Sequence, residues 1–282
     1  MIGYILFICT FTEYKSSVIE KQWLQYDVTD QICEIAQTIS QQEGWNSVLR
    51  NDRFFMSSFL ENGETKYIEP LTGVGRHPHA NVGCQFNKRV SVMDTSYIKL
   101  HNYCHSNNSH NYTKVVMFDM GCSIYGKGNT KAASGYGPSI PLLMRWYEHK
   151  CLSVDEVWAW EARPIKHWWE NVPTDVKMKI KFYNTPVTVN ELTESFKYVS
   201  QSDYVIIKLD IDNTEIEMQL IQVIIDNSIL VDELFFEYHY YMDGMNFGWG
   251  DLTKYKHVHN ATSAVTLMYT LRTLGIRSHF WV

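Results

Sequence analysis

Acidic residues stand where short apolar runs end, and at those positions a carboxylate can hold a ligand. The run Val115–Phe118 passes into Asp119, with Gly121 two residues on, in FDMGCSIYGKG. A glycine there lets the backbone come close to a ligand, because no Cβ intrudes. A second run, in VDEVWAWE, ends on Glu161, and an acid at such an end can accept hydrogen bonds from both hydroxyls of a ribose. A lone D-x-G is equally explained by a tight turn from strand to helix. Asp119, Gly121 and Glu161 together carry more weight.

The segment YVIIKLDID brings further candidates. Lys208, Asp210 and Asp212 alternate, so they share one face if the strand continues. Asp210 would then neighbour a bound amine or an acceptor. Glu237 and His239 alternate in the same way at the end of VDELFFEYH. Imidazole titrates near neutral pH and can take the proton of a hydroxyl as that oxygen reacts. Asp210, Asp212 and His239 could also hold one divalent ion, Mg or Mn, through oxygen and imidazole ligands. Two plainer roles compete. Asp212 or Asn213 could cap a helix that begins near Thr214, with Glu215 in its first turn, and His239 could be a structural residue. Other histidines are weaker candidates. His77 and His79 flank Pro78, and His101 and His105 are four apart near Cys104, but the Asn- and Ser-rich surroundings speak against the helix a zinc site would need. A Gly-rich loop, 243–251, carries Phe247 and Trp249. It could cover an acceptor or form a plain surface turn.

Alternating periodicities supply the elements that would position these residues. Strands are expected at 115–119, 154–161, 180–184, 204–210, 231–238 and 276–282. Helices are expected at 141–150, 191–198, 214–226 and 261–274, the last ended by Gly275. This order predicts an α/β domain over 113–282, with a mostly parallel sheet and helices on both faces. Ligands of such sheets bind beyond the carboxyl ends of the strands, near the topological switch. Residues 1–112 read as an N-terminal extension, helical over 15–50 and loop-rich over 60–112.

Composition excludes some functions. The 282 residues carry a net charge of −6, which argues against holding nucleic acid by phosphate neutralisation. Nine Trp and eighteen Tyr imply either a large aromatic core or rings that line a sugar or planar-cofactor site. The first eleven residues are apolar but too short to span a bilayer as a helix. They suit a strand or buried helix start, although their length also fits the apolar part of a signal peptide. Six Cys are scattered without a CxxC pair, so reduced thiols and a cytoplasmic location are expected, with the secretory pathway as the alternative. Sequons at Asn107, Asn111 and Asn260 do not decide between them.

The stretch 113–282 resembles the FkbM-like branch of class I S-adenosylmethionine-dependent methyltransferases. VVMFDMGCSIYG is similar to their first cofactor motif, and VWAWEARP to the second strand with its ribose acid. YVIIKLDIDNTEIE is similar to the K-x-D-x-E-G-x-E segment, and VDELFFEYH to the strand ending in E-x-H. The resemblance implies a Rossmann-like class I methyltransferase fold that binds S-adenosyl-L-methionine and methylates oxygen, often on a sugar or glycan. It implies that Asp119, Gly121, Cys122 and Ser123 hold the methionine end, Glu161 the ribose and Asn184 the region of the adenine. Asp210, Glu237 and His239 would face the acceptor. The chain departs from the pattern in three ways. Ser123 stands at the third position of the glycine loop, an insertion lengthens the interval from Asp119 to Glu161, and Asp212–Asn213 replaces the Glu-Gly pair. An NAD-dependent oxidoreductase would need the G-x-G-x-x-G that is missing after Phe118. A non-catalytic nucleotide- or glycan-binding domain is the other alternative.

Overall fold

The computed structural model describes residues 58–61, 64–67, 98, 100, 103–105, 112–126, 138–239 and 261–281. A short antiparallel hairpin comes first, β1 (Ser58–Glu61) and β2 (Glu64–Tyr67), with Ser58 opposite Tyr67. Six further strands then form one sheet. They are β3 (Val115–Met120), β4 (Glu156–Trp160), β5 (Ile180–Tyr183), β6 (Tyr204–Leu209), β7 (Glu233–Phe236) and β8 (Arg277–Phe280). All neighbours pair in parallel, in the order β5-β4-β3-β6-β7-β8. Counted within this sheet the order is 3-2-1-4-5-6, that of the doubly wound Rossmann-like fold, and its direction of winding reverses between β3 and β6. β3 and β6 are buried at every position, because a central parallel strand has helices over both faces. That is why both read as near-continuous apolar runs.

The helices are α1 (Ser139–Glu148), α2 (Thr174–Lys177), α3 (Val189–Ser195), α4 (Thr214–Asp226) and α5 (Ala261–Thr273). One core joins Leu192 of α3, Leu220 and Ile224 of α4 and Met268 of α5 to Phe118, Ile207 and Phe236 of the sheet. The other packs Leu143 and Tyr147 of α1, with Trp168 and Val172, against Met117, Ile206 and Phe235. The helices therefore lie on both faces, as expected. Their ends follow local chemistry. Thr188 and Glu191 form a reciprocal capping box at α3, and Gly275 takes φ +90° just beyond α5. The expected elements of 113–282 all appear, with ends displaced by a few residues. Two short ones lie in a stretch read as connection: α2 and the 3-10 turn Trp168–Asn171.

The helix expected at 15–50, the loop 243–251, the histidines 77, 79 and 101 and the three sequons lie outside the described residues. The expected boundary at 112/113 is bridged by packing. Tyr103 and Tyr112 pack edge-on or tilted against Tyr204, and Tyr103 N donates to Lys150 O (3.0 Å). Cys104 and Cys151 form a disulfide across a sequence separation of 47. This corrects the expectation of reduced thiols, because scattered cysteines give no local sign that the fold brings two together. In a chain-entropy account, closing a loop of that length stabilises by about 4 kcal/mol. Among the described residues Cys122 is the free thiol, and it is buried.

Close to this tie, Glu233 is fully buried at the start of β7 and accepts hydrogen bonds from Tyr147 OH (2.5 Å), Tyr204 OH (2.8 Å) and His279 Nε2 (2.7 Å). Arg277 lies opposite it in register. Burial alone would raise its pKa, but His279, Arg277 and Tyr147 outweigh that and hold the carboxyl below its ordinary 4.5. A depressed folded-state pKa gives stability that is present in full above the unfolded value and is lost as pH falls through the folded one. Glu233→Gln should therefore cost roughly 3–5 kcal/mol at pH 7 and flatten the acid side of the plot of Tm against pH. Thermal melts from pH 3 to 7 test this, and an unchanged Tm at pH 7 would show that the network does not hold the two layers together.

Candidate functional site

The carboxyl ends of β3, β4, β6 and β7 converge on one constellation, and the turn after β3 is its scaffold. Gly121 adopts φ +82°, and a Cβ built there would lie 1.7 Å from the Asp210 carbonyl oxygen. The chain itself therefore requires this glycine. This corrects the expectation that the missing Cβ makes room for a ligand: the space belongs to the end of β6. Gly121 N and Cys122 N both donate to Trp160 O (3.0 Å each), and Lys208 Nζ donates to Gly121 O (2.7 Å). Ser123, at φ +54°, donates its amide to Glu161 Oε2 (2.9 Å), and Trp168 Nε1 donates to Ser123 O (2.9 Å). The Cys122 side chain faces the core, and burial pushes its thiol above the ordinary value. It packs and does not react.

Glu161 follows β4 and is buried. Its Oε1 accepts from Arg163 N (2.8 Å) and Arg163 Nε (3.2 Å). An ionised carboxylate offers about four acceptor positions. Ser123 N, Arg163 N and Arg163 Nε leave one, and a second opens if the exposed Arg163 side chain swings away. The Asn184 side chain has both amide hydrogens engaged and one acceptor position left on Oδ1. It accepts from Ile165 N (2.9 Å) and donates to Glu161 O and Arg163 O (2.7 Å each). It shapes the turn that presents Glu161.

A continuous charged chain runs across the ends of β3, β6 and β7. Asp119 and Lys208 are cross-strand partners, 3.7 Å apart, and Lys208 Nζ also reaches Asp210 Oδ2 (3.0 Å). Ser139, in the first turn of α1, donates to Asp119 Oδ2. Burial raises the Asp119 carboxyl against the pull of Lys208 and Ser139. Burial alone would lower Lys208, but Asp210 and Asp119 hold it above its ordinary value. Asp210, opposed by burial, is kept below its ordinary range by Lys208. Beyond it, burial and the neighbouring Asp210 push Glu237 up to about 8. Glu237 and Asp210 share a hydrogen bond, and the two carboxyls compete for one proton.

His239 ends the chain of contacts. Its Nδ1 lies 3.1 Å from Glu217 Oε2, and its Nε2 lies 3.3 Å from Glu237 Oε2 and 3.8 Å from Asp212 Oδ1. Burial would lower its pKa, but Glu217 and Glu237 raise it well above 6.5. Both carboxylates favour the proton on the ring, which counts against the expected role of His239 as general base. The cap at α4 is Asn213, whose Oδ1 accepts from Ile216 N (3.2 Å). Asp212, at φ +55° and largely exposed, is left to face His239. Of the trio expected to hold a metal, Asp212 and His239 do meet. Glu237 takes the third place, and Asp210 turns to Lys208.

Four contributors escaped the reading of the sequence. Ser139 and Arg163 lie in ordinary helix-start and loop contexts and gave no signal. Lys208 was placed on the right face but given no role. Glu217 did leave a trace, because it sits one turn before Leu220 and Ile221 on the apolar stripe of α4, and a charged residue on such a stripe needs a buried partner.

The fold and this constellation define a Rossmann-like α/β domain with its polar groups gathered at the carboxyl edge of the sheet. Comparison with protein-family models finds no match, and comparison with curated proteins finds none either. Among solved structures the chain is similar to E. coli tRNA N6-threonylcarbamoyladenosine dehydratase, crystallised in complex with AMP. The identity is 13%, over 61% of this chain and 74% of that one, with a TM-score of 0.32. A similarity that low carries no argument about this site.

Gly121 gives the direct test of the scaffold. Gly121→Ala should destabilise the domain by more than the roughly 1–2 kcal/mol that a left-handed alanine costs, because the methyl group also meets the Asp210 carbonyl. Denaturant unfolding measures it. A variant as stable as the parent would mean that the turn after β3 is not locked to β6.

Proposed function

We propose that the chain is an S-adenosylmethionine-dependent O-methyltransferase acting on a hydroxyl of a sugar or glycan. The observation that carries the reading is the opposition of two acidic groups across the topological switch. Asp119 and Glu161 end β3 and β4, and Asp210 and Glu237 end or follow β6 and β7. The residues fit the cofactor. Buried Asp119 Oδ1 accepts no hydrogen bond among the described residues, Glu161 keeps acceptor capacity for a ribose, and the acids of this edge suit a ligand with a cationic sulfonium and ammonium end. S-adenosylmethionine would supply the electrophilic methyl group. The protein's part is to hold the hydroxyl in line at about 3 Å and exclude water, so that positioning supplies much of the rate. Asp210, kept ionised by Lys208, would accept a hydrogen bond from the hydroxyl and orient it, although its lowered pKa makes it a weak proton acceptor. The sugar acceptor is supported by the family resemblance and the aromatic content. No helix among the described residues is long and apolar enough to cross a membrane. The Cys104–Cys151 disulfide supports an oxidising, secretory-pathway compartment over the cytoplasmic one.

One observation favours a second reading. The all-parallel 3-2-1-4-5-6 order is that of dinucleotide-binding domains, so an NAD-linked activity is the rival to exclude. Titration calorimetry with S-adenosylmethionine, its demethylated product and NAD separates the two. The methyl donor and its product should bind and NAD should not. Glu161→Ala should weaken donor binding roughly tenfold or more, in line with the loss of a charged hydrogen-bond acceptor. Asp210→Asn should leave donor affinity near normal and lower kcat on a panel of sugars by about 10²-fold, as loss of the group that orients the hydroxyl does. Binding of NAD alone would overturn the proposal. Donor binding without turnover on any hydroxyl would make the chain an accessory domain.

A further inference from the structure

We propose that Asp212, Glu237 and His239 form a divalent-cation site at the carboxyl edge of the sheet. The three residues come from two separate connections, the turn after β6 and the segment after β7. One ligand atom from each lies within 4.8 Å of the other two. His239 Nε2 is 3.3 Å from Glu237 Oε2 and 3.8 Å from Asp212 Oδ1. Ligands on one face of an octahedral ion stand about 3 Å apart when the bonds are about 2.1 Å long, so small side-chain movements would close the triangle.

The surroundings favour a cation in three ways. First, the imidazole is buried and cannot turn. Its Nδ1 is held 3.1 Å from Glu217 Oε2, which points Nε2 at the two carboxylates. Glu217 is itself fixed, because its other oxygen accepts from Ile211 N (3.0 Å). A carboxylate behind the far nitrogen is the arrangement that orients metal-bound histidines. Second, the cluster is crowded with acids. Five carboxylates, of Asp119, Asp210, Asp212, Glu217 and Glu237, lie along a chain of contacts that holds one ammonium, Lys208, and one imidazole. Third, the accessible side is the right one. Asp212 is 64% exposed while Glu237 and His239 are buried, so an ion could enter past Asp212 and keep water on its open positions. Two carboxylates and one imidazole suit Mn²⁺ or Mg²⁺ over a soft metal. The site would stand whether or not methyl transfer is the chemistry of this protein. If it is, the open positions are where an acceptor hydroxyl could bind.

Mn²⁺ alone is the probe, added to the whole chain with no cofactor and followed by the loss of its free-ion electron-spin signal and by calorimetry. One Mn²⁺ per chain should bind. Asp212→Asn changes an exposed side chain, so it should keep the parent Tm in chelator while weakening Mn²⁺ roughly tenfold or more. Glu217→Gln should weaken it by about 10–100-fold, as loss of an orienting partner does. His239→Ala should abolish it, but that variant removes a buried ring, so Asp212→Asn decides the case. No saturable Mn²⁺ binding, or equal affinity in Asp212→Asn, would overturn the proposal. Because donor binding is measured separately, failure here leaves the methyltransferase reading standing, and the reverse also holds.

Discussion

The buried ammonium of Lys208 is the contact on which the rest of the edge depends. It lies on a fully enclosed strand, takes the Gly121 carbonyl on one side and pairs with Asp119 and Asp210 on the others. An ammonium taken out of water is tolerated only when its partners replace the lost hydration. Here those partners come from two strands that lie on either side of the switch. The same charge thereby ties the turn after β3 to the end of β6 and keeps Asp210 ionised. The acids further along the edge are arranged around that fixed point: Glu237 adjusts to Asp210, and His239 to Glu237 and Glu217.

Polarity is segregated along the strands. At the carboxyl ends the charged groups reach water through Asp212, Asp210 and Arg163. At the amino ends the charged group is sealed, with Glu233 ringed by two tyrosines and His279 under the segment that carries Tyr103. The first arrangement can accept a ligand and the second cannot. The wholly buried cluster ties α1, β6, β7 and β8 together, and the partly open one is the candidate ligand site.

The succession of strands and helices along the chain was legible in the sequence because each central strand is an apolar run bounded by turn residues, and periodicity records that directly. The strand-end acids were legible for the same reason. Three kinds of information were not. Asp212 and Asn213 are both good caps, and only the left-handed turn at Asp212 decides which one bonds Ile216 N. The role of Asn184 depends on a turn twenty residues upstream, so its neighbours in the chain say nothing of it. The partnership of Cys104 with Cys151 joins a segment that looked like loop to the end of α1, and no pattern in the sequence encodes that distance.

The interlock between Gly121 and Asp210 has a consequence for how such a site can change. The turn that would hold one ligand and the strand end that would meet another share a backbone contact with no slack. Neither can shift without moving the other. A family descended from this chain could not alter its two specificities one at a time through this part of the framework. Substitutions that re-aim the β6 end would be felt by whatever rests on the β3 turn, and divergence would be channelled into the side chains that project from the rim, such as Arg163 and Asp212.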